Sequence, residues 1–232
     1  MPKQPWVWMA LALATMVAGF WPSFFARLGE TDLPHLVHGV TATLWMVTAV
    51  LQSWLISRRA VHLHRRFGRW LLLLPPVIVL SGLQMIAVML TDNTDPPQLV
   101  SFKFAYLDTA GLVFFLVGIV IAVRHARRRN IPLHLRWMAC TVLLALEPAL
   151  ERLYLTVLPG LVTDFDDALY AALLTVEVIL VVLIVRDWRV GRRRTPYWAL
   201  LAFFVFIHVT ATPVATHPGF QALALRLAGS IG

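Results

Sequence analysis

The sequence predicts an all-α membrane protein: a seven-transmembrane helical bundle, one integral domain over residues 1–232, with a parallel duplicated helical hairpin inside it. Three observations predict this. The chain is 59% hydrophobic and only 14% charged, whereas a soluble domain carries about 25% charged residues. Its apolar runs approach the roughly 20 residues that a helix needs to cross a bilayer. Sixteen of its twenty basic residues fall into four patches between those runs: Lys3; then Arg58, Arg59, Arg65, Arg66 and Arg69; then Arg124, Arg127, Arg128, Arg129 and Arg136; then Arg186, Arg189, Arg192, Arg193 and Arg194. The alternate polar segments are acidic, with Glu30 and Asp32, Asp92 and Asp95, and Asp164, Asp166 and Asp167. Basic and acidic loops that alternate in this way are the positive-inside signature.

The runs set the spans at about 6–28, 35–56, 70–90, 104–123, 137–158, 168–185 and 197–214. The first run has a single lysine before it and no small-x-small cleavage pattern at the right depth, so it reads as an anchor rather than a signal peptide. With the basic loops inside, the N-terminus is cytoplasmic and the C-terminus external. The other four cations (Arg27, Lys103, Arg152, Arg226) then lie in outer halves, and Asp187 is the one acid on the inner side. Pro34 and Pro196 fall where helices begin, a position that needs no N–H. Pro75, Pro76 and Pro148 fall inside spans, where a kink is expected. Trp6, Trp70, Trp137, Trp188 and Trp198 come near the inner ends, as an aromatic belt would. After His217 the tail is amphipathic (Phe220, Leu223, Leu227 with Arg226) and is expected flat on the outer interface.

The net charge of +8 flanks apolar runs, so it points to anionic lipid on the cytoplasmic side and not to nucleic acid. A single cysteine, Cys140, excludes an intramolecular disulfide and a thiolate metal cluster. Eighteen arginines against two lysines, with abundant Ala and Leu, suggest a bacterial inner-membrane protein from a genome of high GC content.

The second and third basic patches repeat. Arg59-Ala-Val-His-Leu-His64-Arg-Arg66 aligns with Arg129-Asn-Ile-Pro-Leu-His134-Leu-Arg136 at an offset of seventy residues. The offset superposes spans two and three on spans four and five with the same direction, and sets His38 opposite Asp108.

Two candidate sites follow. At about 1.5 Å of rise per residue, Glu147, Glu177 and His208 come out near the midplane, with His38, Asp108, Glu151 and Arg152 closer to the outer rim. Ionisable groups in hydrocarbon are costly and mark functional cavities, so these residues are expected to form an outward-facing cation site. It would serve as a proton relay, or as a transition-metal site built on His208, Glu147 and Glu177. The plainer alternative is a non-catalytic membrane scaffold or assembly factor in which these groups only pair helices. The second candidate lies at the inner face. His64 and His134, equivalent under the repeat, could hold haem b in an electron carrier, with Arg65, Arg66, Arg69 and Arg136 beside them for propionates or for lipid phosphate.

The loop His64-Arg-Arg-Phe-Gly68-Arg69 and the motif His134-Leu-Arg-Trp137-Met138 resemble those of a family of uncharacterised bacterial integral membrane proteins, over roughly spans two to five. That family's motif continues Trp-Met-x-Arg, where this chain has Cys140. The resemblance implies a multi-helix membrane fold and no particular reaction. A looser likeness to two-haem cytochrome b bundles rests on paired spans with histidines, and Asp108 stands where an outer haem ligand would be wanted. No P-loop, dinucleotide glycine motif, His-Glu-x-x-His or Gly-x-Ser-x-Gly occurs.

Overall fold

The computed structural model describes residues 4–91, 99–193 and 195–231. The sequence expectations for Lys3, Asp92, Asp95 and Arg194 fall outside them. The described chain is helical, in the order α1 (Pro5–Phe20), α2 (Leu33–Ser57), α3 (Val61–Leu71), α4 (Leu74–Thr91), α5 (Leu99–Arg127), α6 (Ile131–Val157), α7 (Phe165–Arg189), α8 (Tyr197–Ala215) and α9 (Pro218–Ile231), with a short 3-10 turn at Phe25–Arg27. Six segments are long and apolar enough to cross a membrane: α2, α3 with α4, α5, α6, α7 and α8. At 16 residues, α1 is shorter.

Consecutive helices pack against each other, and α6 is central, touching α1, α5, α7 and α8. Its neighbours bury Leu169, Leu173, Leu180, Leu200, Phe204 and Ile207 completely or nearly so. Outward-facing side chains stay apolar, as lipid requires: Leu80, Val113, Val182, Phe206 and Val209 are all exposed.

Pro75 and Pro76 do not kink a helix. They occupy the first turn of α4, just after a break at Leu72–Leu73 that divides the expected third span from the basic helix α3. Proline's missing N–H is harmless there, which is why the break falls at that point. Pro148 does lie inside α6, and Pro213 inside α8. The tail forms α9, which packs on the C-terminal part of α4 and against α5, burying Ala228 near Ala87 and Leu90.

The three basic turns use one capping device. At the end of α2 the Arg59 N–H donates to the Ile56 carbonyl and the Ala60 N–H to that of Leu55. At the end of α5, Arg129 and Asn130 do the same to Ala126 and His125. After α7, Gly191 and Arg192 bond Trp188 and Asp187. Such double closures need a left-handed residue, and Arg59 (φ 59°), Arg129 (φ 58°) and Gly191 (φ 76°) supply it. An arginine in that conformation is strained by about 1 kcal/mol, so its recurrence seventy residues apart is a specific local choice.

At its N-terminus α2 is capped by Asp32, whose carboxylate accepts the His35 backbone N–H at 2.9 Å and meets the His35 ring Nδ1 at 2.7 Å. Slight burial disfavours the ionised carboxyl, but the His35 contacts outweigh it and hold Asp32 below its ordinary value of 3.8. A depressed folded value means that the cap stabilises α2 fully above about pH 4 and loses this contribution as pH falls through the folded value. Asp32→Ala is expected to cost about 1 kcal/mol near neutral pH and less in acid, read from melting curves across a pH series.

Candidate functional site

Helix α6 carries Glu147 and Glu151 one turn apart, and both side chains are buried to 2% exposure. One oxygen of each, Oε1, has no hydrogen-bond partner. Arg152 Nη1 stands 3.8 Å from Glu151 Oε2 and donates to the Pro148 carbonyl at 3.1 Å. Its guanidinium also lies over the Phe20 ring of α1, 4.7 Å from the centroid. Asp108 of α5 faces the same group: its charge acts on both glutamates, and Arg152 acts on all three acids. Asp108 is nine residues in from the Leu99 end of α5 and Glu147 ten in from the Val157 end of α6, which puts both about 15 Å from those ends.

Glu177 and His208 do not join them. They form their own pair between α7 and α8, with His208 Nδ1 3.0 Å from Glu177 Oε1. The Tyr170 ring packs on His208, and its hydroxyl bonds that of Thr212 at 2.7 Å. The three-ligand metal set of His208, Glu147 and Glu177 is therefore not assembled: among the described residues no three His, Cys, Asp or Glu side chains converge as metal ligands. Depth brought these residues to one level, but α6 turns Glu147 toward α5 while α7 turns Glu177 toward α8. His38 also goes elsewhere, meeting the Ser81 hydroxyl of α4 at 3.3 Å.

Two ion pairs had no signal in the sequence beyond charge itself. Lys103, 3% exposed, pairs with Asp166 at the start of α7 and lies over the Tyr170 ring. Arg136, expected at lipid phosphate, is buried instead and grips Asp187 through two bonds, Nε to Oδ2 at 2.6 Å and Nη2 to Oδ1 at 2.8 Å. The one acid expected among the basic patches is thereby paired with one of their arginines. Arg65, Arg66 and Arg69 remain exposed on α3.

His64 and His134 do meet, with ring centroids 6.4 Å apart. No protein-family model, curated protein or solved structure matches the chain. The site is accordingly argued from its own chemistry.

Proposed function

We propose that this multi-pass protein carries protons, or another small cation, at the acidic cluster of Asp108, Glu147 and Glu151 in the outer half of the membrane. The supporting observation is a charge imbalance: three carboxylates face one guanidinium, and two buried carboxylate oxygens lack any partner. Unpaired charge in a medium this poor in water is too costly to persist. The cluster must therefore take up positive charge, and a proton on an orphaned oxygen is the smallest way to do so. Arg152, with 35% of its side chain exposed, marks the route to the outside.

The surrounding architecture in this reading is a seven-span bacterial inner-membrane protein with its N-terminus inside. Helix α1 is the seventh span: it is about 24 Å long, lies along α6 and α2, and reaches the level of Arg152. Spans two to five are a duplicated hairpin. Supporting this are the matched caps at Arg59 and Arg129 and the contact of equivalent residues across a pseudo-twofold axis, Trp45 with Phe115 and His64 with His134. Arg65, Arg66 and Arg69 contact anionic headgroups.

Infrared spectroscopy of the purified protein tests the proton reading. A protonated-carboxyl stretch is expected at neutral pH and should disappear in Glu147→Gln. A spectrum of ionised carboxylates alone, unchanged in that variant, overturns the reading.

A further inference from the structure

Gln52, His64 and His134 lie where the inner ends of α2, α3, α5 and α6 meet, far from the acidic cluster. His134 Nδ1–H donates to the Ala122 carbonyl at 3.0 Å. The His64 ring faces the carbonyl of Gln52, seventy residues before Ala122, without closing a bond of ordinary geometry: its Nδ1 is buried and unpartnered. The Gln52 side chain is orphaned as well, with neither Oε1 nor Nε2 bonded. His64 Nδ1 and both polar atoms of the Gln52 side chain are thus buried without partners, and such groups call for an explanation.

The chemistry of the pair says which kind. An imidazole whose Nδ1–H goes to a backbone carbonyl presents a bare Nε2, and metal-binding histidines are characteristically oriented by such a second bond. The rings stand 6.4 Å apart with planes at 79°. A ring nitrogen lies about 1.2 Å from its ring centre, so facing nitrogens would be about 4 Å apart, twice a metal–imidazole bond of roughly 2.0 Å. Directly bonded imidazoles would sit closer, and a merely packed His134 would not need its Nδ1–H turned to a carbonyl.

We propose that His64 and His134 hold one transition-metal centre through their Nε2 atoms, with the Ala122 carbonyl fixing the tautomer of His134. No third side-chain ligand converges among the described residues. The centre is therefore one that asks the protein for two ligands: copper(I) in linear coordination, or an iron macrocycle that brings its other four nitrogens. Both share the bis-imidazole bond, and imidazole suits either metal. Equivalent ligands from the two halves of a duplicated hairpin suit a ligand with two equivalent faces.

The purified full chain is titrated with copper(I) against a chromophoric chelator and, separately, with haemin followed by its Soret band. One equivalent of one probe should bind, which also distinguishes the two sources. His64→Gln and His134→Gln, which keep size and hydrogen bonding and so preserve the fold, should each abolish that binding, with melting curves as the check on folding. His62→Ala, on the exposed side of α3, and Glu147→Gln should leave it intact, so failure here is separable from failure of the proton reading. Absence of stoichiometric binding of either probe to folded wild type, or full binding in both glutamine variants, overturns the proposal.

Discussion

Arg136→Leu is expected to destabilise the bundle by roughly 3–5 kcal/mol, because it strands a buried carboxylate. Asp187 is 10% exposed at its side chain and both its oxygens bond Arg136, which is 7% exposed. Removing the guanidinium leaves that carboxylate in a site with too little water to solvate it. It also frees the Pro132 carbonyl, which Arg136 Nη1 occupies at 2.9 Å. Asp187→Leu should cost a similar amount by stranding the arginine. The double variant Arg136→Leu/Asp187→Leu should recover most of the loss, since an apolar pair of similar volume avoids the desolvation that the ion pair must offset. Unfolding in micelles, run as a double-mutant cycle, measures this coupling directly. A single substitution that shifts stability by less than about 1 kcal/mol would mean that water reaches the pair freely.

The same pair shows what a sequence of this kind reveals and what it hides. Hydropathy and charge alternation placed some helices to within a few residues: α2, predicted over 35–56, runs Leu33–Ser57, and α8, predicted over 197–214, runs Tyr197–Ala215, whereas α1, predicted over 6–28, ends at Phe20 and α6, predicted from 137, starts at Ile131. Position along each helix was equally legible, because rise per residue is fixed. Azimuth was not. Each residue turns a helix face by about 100°, so the direction in which Glu177 or Glu147 points depends on how the helix is rotated in its packing. That rotation comes from side chains all along the interface. Hence Glu147, expected at the level of Glu177 and His208, lies instead with Asp108 and Glu151, while Glu177 and His208 pair apart from them.

Partner choice was hidden for a similar reason. Arg136 sits among five arginines of one patch, and nothing local distinguishes the one whose neighbour is an acid fifty-one residues on. The break before Pro75 was hidden too. A proline pair inside an apolar run fits a kinked span and also the first turn of a new helix, and only the amphipathic α3 before it decides between them.

Gly19→Ala should be the most damaging single methyl in the chain. A Cβ at Gly19 would stand 2.1 Å from the Ala149 carbonyl oxygen and 2.9 Å from its carbon, both backbone atoms of α6. A side chain can rotate away from a clash, but a helix backbone cannot, so α1 must shift bodily. Close approach through small residues is how helices associate in lipid, where the hydrophobic effect offers little between them. Overpacking of this kind costs about 1–3 kcal/mol, occasionally more. Gly111 provides the control. It is buried in α5 with nothing within 4 Å of a built Cβ, so Gly111→Ala should be neutral or stabilise by up to about 1 kcal/mol.

The consequence of the Gly19 change extends past stability. Phe20, the next residue, stacks under Arg152, the one guanidinium facing the acidic cluster. Moving α1 away loosens that guanidinium and deepens the charge imbalance around Glu147. Gly19→Ala should therefore increase the protonated-carboxyl infrared band per folded molecule, while Gly111→Ala leaves it unchanged. Equal melting temperatures and equal bands for the two variants would show that α1 does not seat against α6 at Ala149.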